Sequence, residues 1–424
     1  MHHFAYRNGV LCAEDVPLTE IAAEVGTPFY CYSTATLTRH VEVLRDAFAR
    51  HGSEPLICYA VKANSNQAIL TLLAKQGLGM DIVSVGEMQR ALAAGVAPDK
   101  IIFAGVGKTR DEMAEALGAG VTSFNIESES ELELLASVAR ETGRTAEISI
   151  RVNPDVDAKT HAKISTGKSE NKFGVPFEAA RPLYRKANET DGLAVAGIHM
   201  HIGSQIYDLQ PFADAYARMR SLVEALREDG ITLKHLDLGG GLGVPDRVGN
   251  APPPSPADYA DVVHRALGDL GLPFVLEPGR MLVANAGILV TEVVRTKEMP
   301  GKTFTIVDAA MNDLIRPTLY DAHHDIWPVT EARRDLAPAQ QDVVGPICES
   351  GDYLAQNRAL PPAKAGDLLG LMTSGAYGAV MSSTYNSRGL VAEVLVDGRN
   401  FDVIRPRQTI AELIDLDRVP DWLK

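Results

Sequence analysis

The sequence predicts an α/β fold: a closed (β/α)8 barrel of TIM type over residues 36–282, joined to a second domain built from residues 1–35 and 283–424. That second domain is expected to be an antiparallel β-sandwich or β-barrel-like unit. Three observations lead there. Between about residues 56 and 280, short β-branched apolar runs alternate with longer stretches of helical periodicity. The unusual polar residues of this region collect near the ends of the apolar runs. Past residue 284 the texture changes to strand-like runs broken by glycine and proline.

The strand candidates, in order, are Leu56–Val61, Gly79–Val83, Ile101–Ala104, Thr122–Ile126, Glu147–Val152, Val195–His201, Leu233–Leu238 and Pro273–Glu277. Each except the last leads into a helix-like stretch, such as Gln67–Lys75, Glu129–Arg140 or Phe212–Glu228. Such a series of βα units suggests a closed barrel. An open doubly wound sheet can use as many strands, and pattern alone leaves both standing. Further on, Gly287–Val294, Phe304–Val307 and Val391–Val396 read as strands of the second domain, which puts a boundary near residue 282. The proline-rich Ala251–Pro256 falls between the seventh strand and its helix, so it is a surface loop and not a linker.

Composition narrows the function classes. A chain of 424 residues with 46% hydrophobic content can build more than one core. Its 41 Lys and Arg against 55 Asp and Glu give a net charge of −14, which argues against nucleic acid as a partner. Cys12, Cys31, Cys58 and Cys348 are scattered, without zinc-site or disulfide-scaffold spacing, as expected in a reducing compartment. The first residues form no apolar h-region, and no run of about 18 apolar residues occurs, so a cytoplasmic protein without membrane association is expected.

The polar residues carry the chemistry. Lys62 closes the first strand, Asp81 lies in the second, Arg151 near the end of the fifth and His201 at the end of the sixth. Gly239-Gly240-Gly241 follows the seventh, and Glu277 ends the eighth. A lone lysine or arginine at a strand end is most often a solvated rim residue. Convergence from five or six strands is harder to explain that way. Lys62 precedes a helix that Asn64 or Ser65 can cap, and a lysine partly desolvated at a barrel mouth is a usable imine-forming nucleophile.

The glycine run at 239–243 offers unobstructed backbone N–H groups, suited to a phosphate. A plain turn is an equal alternative. A dinucleotide-binding turn is not, because Val244 stands where the third glycine of that motif belongs. His199 and His201 share one strand face, but without a further ligand cluster a structural or stacking role is favoured over a metal, and no metal is expected. Glu277 either pairs with Arg280 or meets a protonated ring nitrogen.

The segments Tyr59–Asn64, His199–Gln205, Gly239–Gly243 and Glu277–Arg280 resemble the alanine-racemase-like, fold-type III pyridoxal-phosphate decarboxylases across nearly the whole chain. Within that group, Arg316–Tyr320, Gly345–Ser350 and Gly375–Tyr377 are similar to the diaminopimelate decarboxylases. The resemblance implies pyridoxal 5'-phosphate as cofactor and decarboxylation of meso-2,6-diaminopimelate to L-lysine and CO2, the last step of lysine biosynthesis. It further implies that Lys62 holds the cofactor covalently, His201 stacks on its ring and Glu277 meets the ring nitrogen. Ser204, Gly240, Gly241 and Tyr377 bind the phosphate beside the backbone of Gly279 and Arg280, while Asp81, Glu87 and Arg151 surround the lysine and ring.

By the same resemblance the enzyme is a homodimer with composite active sites, in which Cys348 and Glu349 reach the partner's site. Arg280, Arg316 and Tyr320 hold the distal carboxylate of the substrate, with Tyr377 nearby, and Glu349 takes the distal ammonium. Cys348 or Lys62 returns the proton to carbon. A substrate whose distal end is itself an amino acid needs both a planar bidentate donor and an anion. The runner-up is an ornithine, arginine or carboxynorspermidine decarboxylase of the same fold. The ornithine enzymes have aspartate after the cysteine and lack the Arg-Pro-x-Leu-Tyr motif. Non-catalytic relatives usually lose the lysine or cysteine, and this chain has both.

Overall fold

In the computed structural model all residues are described except 1, 122, 159–165, 168–170, 246 and 248–251. Thr122 and Ala251, which begin the fourth predicted strand and the proline-rich loop, therefore lie outside the described residues. The chain divides into two compact units, one of Thr38–Val244 and Ala251–Leu282, the other of Met1–Leu37, Pro245–Asn250 and Val283–Lys424.

The first unit is a closed parallel barrel. Its strands are Leu56–Ala60, Gly79–Ile82, Ile101–Phe103, Ser123–Ile126, Ala146–Asn153, Leu193–His199, His235–Asp237 and Phe274–Leu276. Each pairs in parallel with the next. The pairings Val275↔Leu56 and Leu276↔Ile57 join the last strand to the first. That closure removes the open-sheet alternative, which the strand pattern could not do because both architectures bury each strand on both faces.

Helices follow where the sequence supplies caps. Ser84, Ser128 and Asn66 each accept a backbone N–H at the start of Val85–Ala93, Glu129–Glu141 and Gln67–Lys75. The cap after Lys62 is thus Asn66, neither Asn64 nor Ser65. Asn64 instead accepts the N–H of Asn66 at 3.0 Å and shapes the turn that leads into the helix. Several strands end earlier than the apolar runs. Val61 already belongs to a 3-10 turn over Val61–Ala63, and His201 lies two residues beyond its strand. The chain leaves the ladder there to build loops at the carboxyl face, where function sits in such barrels.

The second unit holds a nine-stranded sheet. Its main path runs Tyr353–Leu360, Ala339–Val344, Lys302–Val307, Gly287–Met299, Phe29–Ser33, Ala392–Asp397 and Asn400–Arg405. The sheet is mixed and not purely antiparallel, since Ala392–Asp397 runs parallel to Phe29–Ser33, and Lys302–Val307 parallel to Ala339–Val344. The first exception arises because Phe29–Ser33 precedes the barrel in sequence yet inserts beside strands that follow it. Leu11, Leu18, Phe29, Cys31, Ile288, Val290 and Val394 form its core and are fully buried. Among the described residues no helix is long and apolar enough to cross a membrane.

Candidate active site

At the carboxyl ends of the barrel strands the structure brings Lys62, Asp81, Arg151, His201, Ser204, Gly240, Gly241, Glu277 and Arg280 onto one face. Lys62 Nζ lies 2.5 Å from Asp81 Oδ2. Burial and the nearby charge of Glu277 raise the Asp81 pKa to about 7, against the opposing pull of Lys62. Glu87, at the first turn of the following helix, accepts the N–H of Val83 at 2.8 Å, and burial raises its pKa too.

Arg151 is almost fully buried, ion-paired to Glu127 at 3.2 Å, and lies 4.7 Å over the Phe173 ring. Its charge adds to burial in holding the pKa of His201 well below the usual value, so that ring is neutral. The backbone N–H of Gly240 donates to His201 Nδ1 at 3.1 Å, which leaves the ring hydrogen on Nε2.

The glycine turn is packed too tightly for any side chain. A Cβ on Gly240 would stand 2.3 Å from the carbonyl oxygen of Glu277, and one on Gly241, whose φ is +111°, would stand 2.5 Å from that of Gly203. The turn is tied down by Glu277 N–H donating to Gly239 O at 2.7 Å and Ile206 N–H donating to Gly241 O at 3.0 Å. Across from it, Arg280 Nε donates to Ser204 Oγ at 3.2 Å. The result is a half-buried rim of backbone free of Cβ atoms, a hydroxyl and a guanidinium, a composition that suits a phosphate. The next helix among the described residues begins only at Pro256, so no helix opens on the glycines as a dinucleotide site requires.

Glu277 is buried, and its partners are Asn125 and His199. Asn125 Nδ2 donates to Glu277 Oε1 at 3.1 Å and to Asp237 Oδ2 at 3.2 Å, and His199 Nε2 lies 3.2 Å from Glu277 Oε2. Burial alone would raise the Glu277 pKa. The charges of His199 and Lys62 win and hold it low, so the carboxylate is ionised. His199, Asp237 and Glu277 offer ligand atoms all within 4.8 Å of one another, but the Asn125 amide nitrogen fills the gap between the carboxylates that a cation would take.

Arg316, Tyr320, Cys348, Glu349 and Tyr377 belong to the other unit. There the structure draws the two motifs that carry them together. Thr318 Oγ1, in the helix Arg316–Tyr320, donates to the Gly351 carbonyl at 2.7 Å. Asp352 accepts the N–H groups of Met311 and Ile347, both at 2.7 Å, which pins the loop bearing Cys348 and Glu349 while leaving both residues exposed. Asn386 accepts the Cys348 N–H at 2.9 Å, and the Glu349 carboxylate raises the pKa of Tyr385 by hydrogen bonding to its phenol. His324 links Arg316, 3.1 Å from its Nε2, to the Met372 carbonyl at 2.8 Å and hence to the turn that bears Tyr377. Tyr377 itself holds a left-handed φ of +56°, a strained state for a bulky residue.

Asn125, Asp237, His324 and Asp352 have no counterpart in the sequence reading. Two of them had a signal, because Asn125 and Asp237 are polar residues at or next to the carboxyl ends of barrel strands, where functional groups collect.

Residues 34–284 match the family model of the pyridoxal binding domain of pyridoxal-dependent decarboxylases. The chain is 52% identical over 413 residues to a protein named diaminopimelate decarboxylase from Pseudomonas aeruginosa, covering 97% of this chain and 98% of that one. Its fold matches the crystal structure of diaminopimelate decarboxylase from Helicobacter pylori complexed with L-lysine with a TM-score of 0.89 at 41% identity, covering 94% of this chain and 98% of that chain. It also matches that of the enzyme from M. jannaschii in co-complex with L-lysine with a TM-score of 0.94 at 36% identity over the whole of both chains.

Proposed function

Since this chain belongs to the diaminopimelate decarboxylases, within the pyridoxal-dependent decarboxylases, we infer how its residues divide the work of turning meso-2,6-diaminopimelate into L-lysine and CO2. One observation carries the assignment: a single amine, a neutral imidazole, an ionised carboxylate and a glycine-lined donor rim share one face of the barrel. These residues fit pyridoxal 5'-phosphate. The Cβ-free turn and Ser204 suit its phosphate, Lys62 its aldehyde, and Glu277 its ring nitrogen.

Residues 36–282 are the cofactor-binding domain in this reading. Lys62 would hold the cofactor through its ε-amine, released from Asp81, while Asp81, Glu87 and Arg151 surround the lysine and ring. Gly240, Gly241, Ser204, Tyr377 and the backbone of Gly279 and Arg280 would receive the phosphate. His201, neutral, would stack on the ring without adding charge, and Glu277 would keep the ring nitrogen protonated. When bound, pyridoxal phosphate supplies an electron sink for the charge left on the α-carbon as CO2 departs.

Arg280, Arg316 and Tyr320 hold the distal carboxylate of the substrate, and Glu349 its distal ammonium. Cys348 Sγ or Lys62 Nζ returns a proton to the α-carbon. Cys348 and Glu349, exposed on their loop, serve the site of a second copy, so the working unit is a homodimer. The protein acts in the cytoplasm.

Reduction of the holoenzyme with borohydride and peptide mapping tests the assignment. The pyridoxyl label is expected on Lys62, and Lys62→Ala is expected to lose both the label and turnover by orders of magnitude. A label elsewhere overturns it. Lysine and CO2 release from meso-diaminopimelate, with L-ornithine, L-arginine and carboxynorspermidine as competitors, tests the substrate. Preference for any competitor overturns that part.

A further inference from the structure

We propose that His199, Asn125 and Asp237 form a buried positioning set that aims Glu277 at the cofactor's ring nitrogen and provides its standing counter-charge. The proposal rests on the role given to Glu277 above. Ring protonation needs a carboxylate that stays charged, and a carboxylate buried to the extent of Glu277, 6% exposed, tends to neutralise unless a fixed cation accompanies it.

Three strands supply the set. His199 and Asp237 are direct partners on neighbouring parallel strands, the sixth and seventh, and Asn125 reaches in from the fourth. The Asn125 amide bridges the two carboxylates at 3.1 and 3.2 Å, and the Gly239 N–H donates to the other oxygen of Asp237 at 3.0 Å. This fixes Glu277 in rotation. His199 is 1% exposed, and its Nε2 lies 3.2 Å from Glu277 off the line of a good hydrogen bond, while its Nδ1 has no hydrogen-bond partner among the described residues. A neutral imidazole so placed gains nothing to offset its burial. A charged one does: the Glu277 carboxylate is the main influence opposing burial, and the pKa of His199 is raised.

Several other groups face Glu277. Lys62 and Cys58 come from the first strand and its turn, Asp81 from the second, Arg151 from the fifth and His201 from beyond the sixth. Lys62 cannot serve as a permanent counter-ion, because the assigned chemistry uses its amine. His201 is neutral. Arg151 is engaged by Glu127. Of the two neighbouring carboxyls, burial and the charge of Glu277 push Asp237 well above the usual range, so it carries the proton and adds no second charge. That arrangement leaves one negative and one positive group in the cluster.

The test uses holoenzyme of His199→Gln, Asp237→Asn and Glu277→Gln, with folding checked by circular dichroism and cofactor attachment by borohydride labelling of Lys62. His199→Gln is expected to lower kcat at least tenfold with the KM for diaminopimelate within about twofold. It should also shift the pH midpoint of the cofactor's visible absorbance band in the same direction as Glu277→Gln. Asp237→Asn, which imitates a neutral carboxyl, is expected to lower kcat less than His199→Gln does. A folded, labelled His199→Gln protein with the wild-type band titration and kcat overturns the proposal. So does an Asp237→Asn loss exceeding that of His199→Gln, which would place the needed charge on Asp237. Loss of the Lys62 label from the wild-type enzyme would instead sink the cofactor assignment itself.

Discussion

Replacing Gly240 with alanine places a methyl carbon 2.3 Å from the carbonyl oxygen of Glu277 and 3.1 Å from its carbonyl carbon. Ordinary contact begins at 3.4 Å, so the end of the seventh or eighth strand must move by 3.4 − 2.3, roughly 1 Å. The obstructing atoms are backbone, and no side-chain rotation relieves them. Glu277 N–H bonds back to the neighbouring Gly239, so the shift reaches the carboxylate as well as the glycine rim. A misplacement of that size costs about 100-fold in rate, or about 2.7 kcal/mol of transition-state stabilisation. Cofactor affinity is read by absorbance titration and turnover by lysine release, and both should fall. Gly118→Ala is the control, since a Cβ there meets nothing within 4 Å. A Gly240→Ala enzyme that binds cofactor and turns over within about twofold of wild type refutes the reasoning.

Two further outcomes are expected. Glu349→Ala leaves the substrate's distal ammonium unpaired, at about 1–3 kcal/mol or about 5- to 150-fold in kcat/KM; a wild-type value removes Glu349 from recognition. His235 is held down to about pH 4, chiefly by burial, against 6.5 for an ordinary histidine. Folding therefore favours its neutral form, so stability is full above pH 6.5 and falls as pH drops toward 4, by about 2 kcal/mol between pH 7 and 5. His235→Gln should flatten that part of the denaturation-midpoint profile, and an unchanged slope would contradict the assignment.

The barrel was legible because its strands are β-branched runs whose spacing from capped helices repeats, and the active face because Lys62, His201, the glycines and Glu277 are chemically odd at run ends. Closure was favoured by the repeat of βα units but not fixed by it. It depends on the long-range pairing of Phe274–Leu276 with Leu56–Ala60, which leaves no mark on local periodicity. Asn125 and Asp237 escaped because parallel barrel strands are buried on both faces, so alternation does not reveal which residues point inward. His324 and Asp352 escaped for a different reason: their bonds to Met372 and Met311 join segments 48 and 41 residues apart. The strand Phe29–Ser33 is short, and nothing near it signals partners from the far end of the chain.

That strand has a consequence for biogenesis. It lies between Gly287–Met299 and Ala392–Asp397, so its neighbours are translated about 250 and 360 residues after it. At ribosome speeds of about 5–20 residues per second, this apolar segment leaves the tunnel roughly 10–50 s before its first partner and waits longer for the second. Meanwhile the intervening barrel can complete itself, because its strands pair only among themselves. A nascent chain stopped after residue 282 therefore carries a folded barrel with a hydrophobic, unsatisfied strand at its leading end, the state in which this protein is most exposed to chaperones and to aggregation.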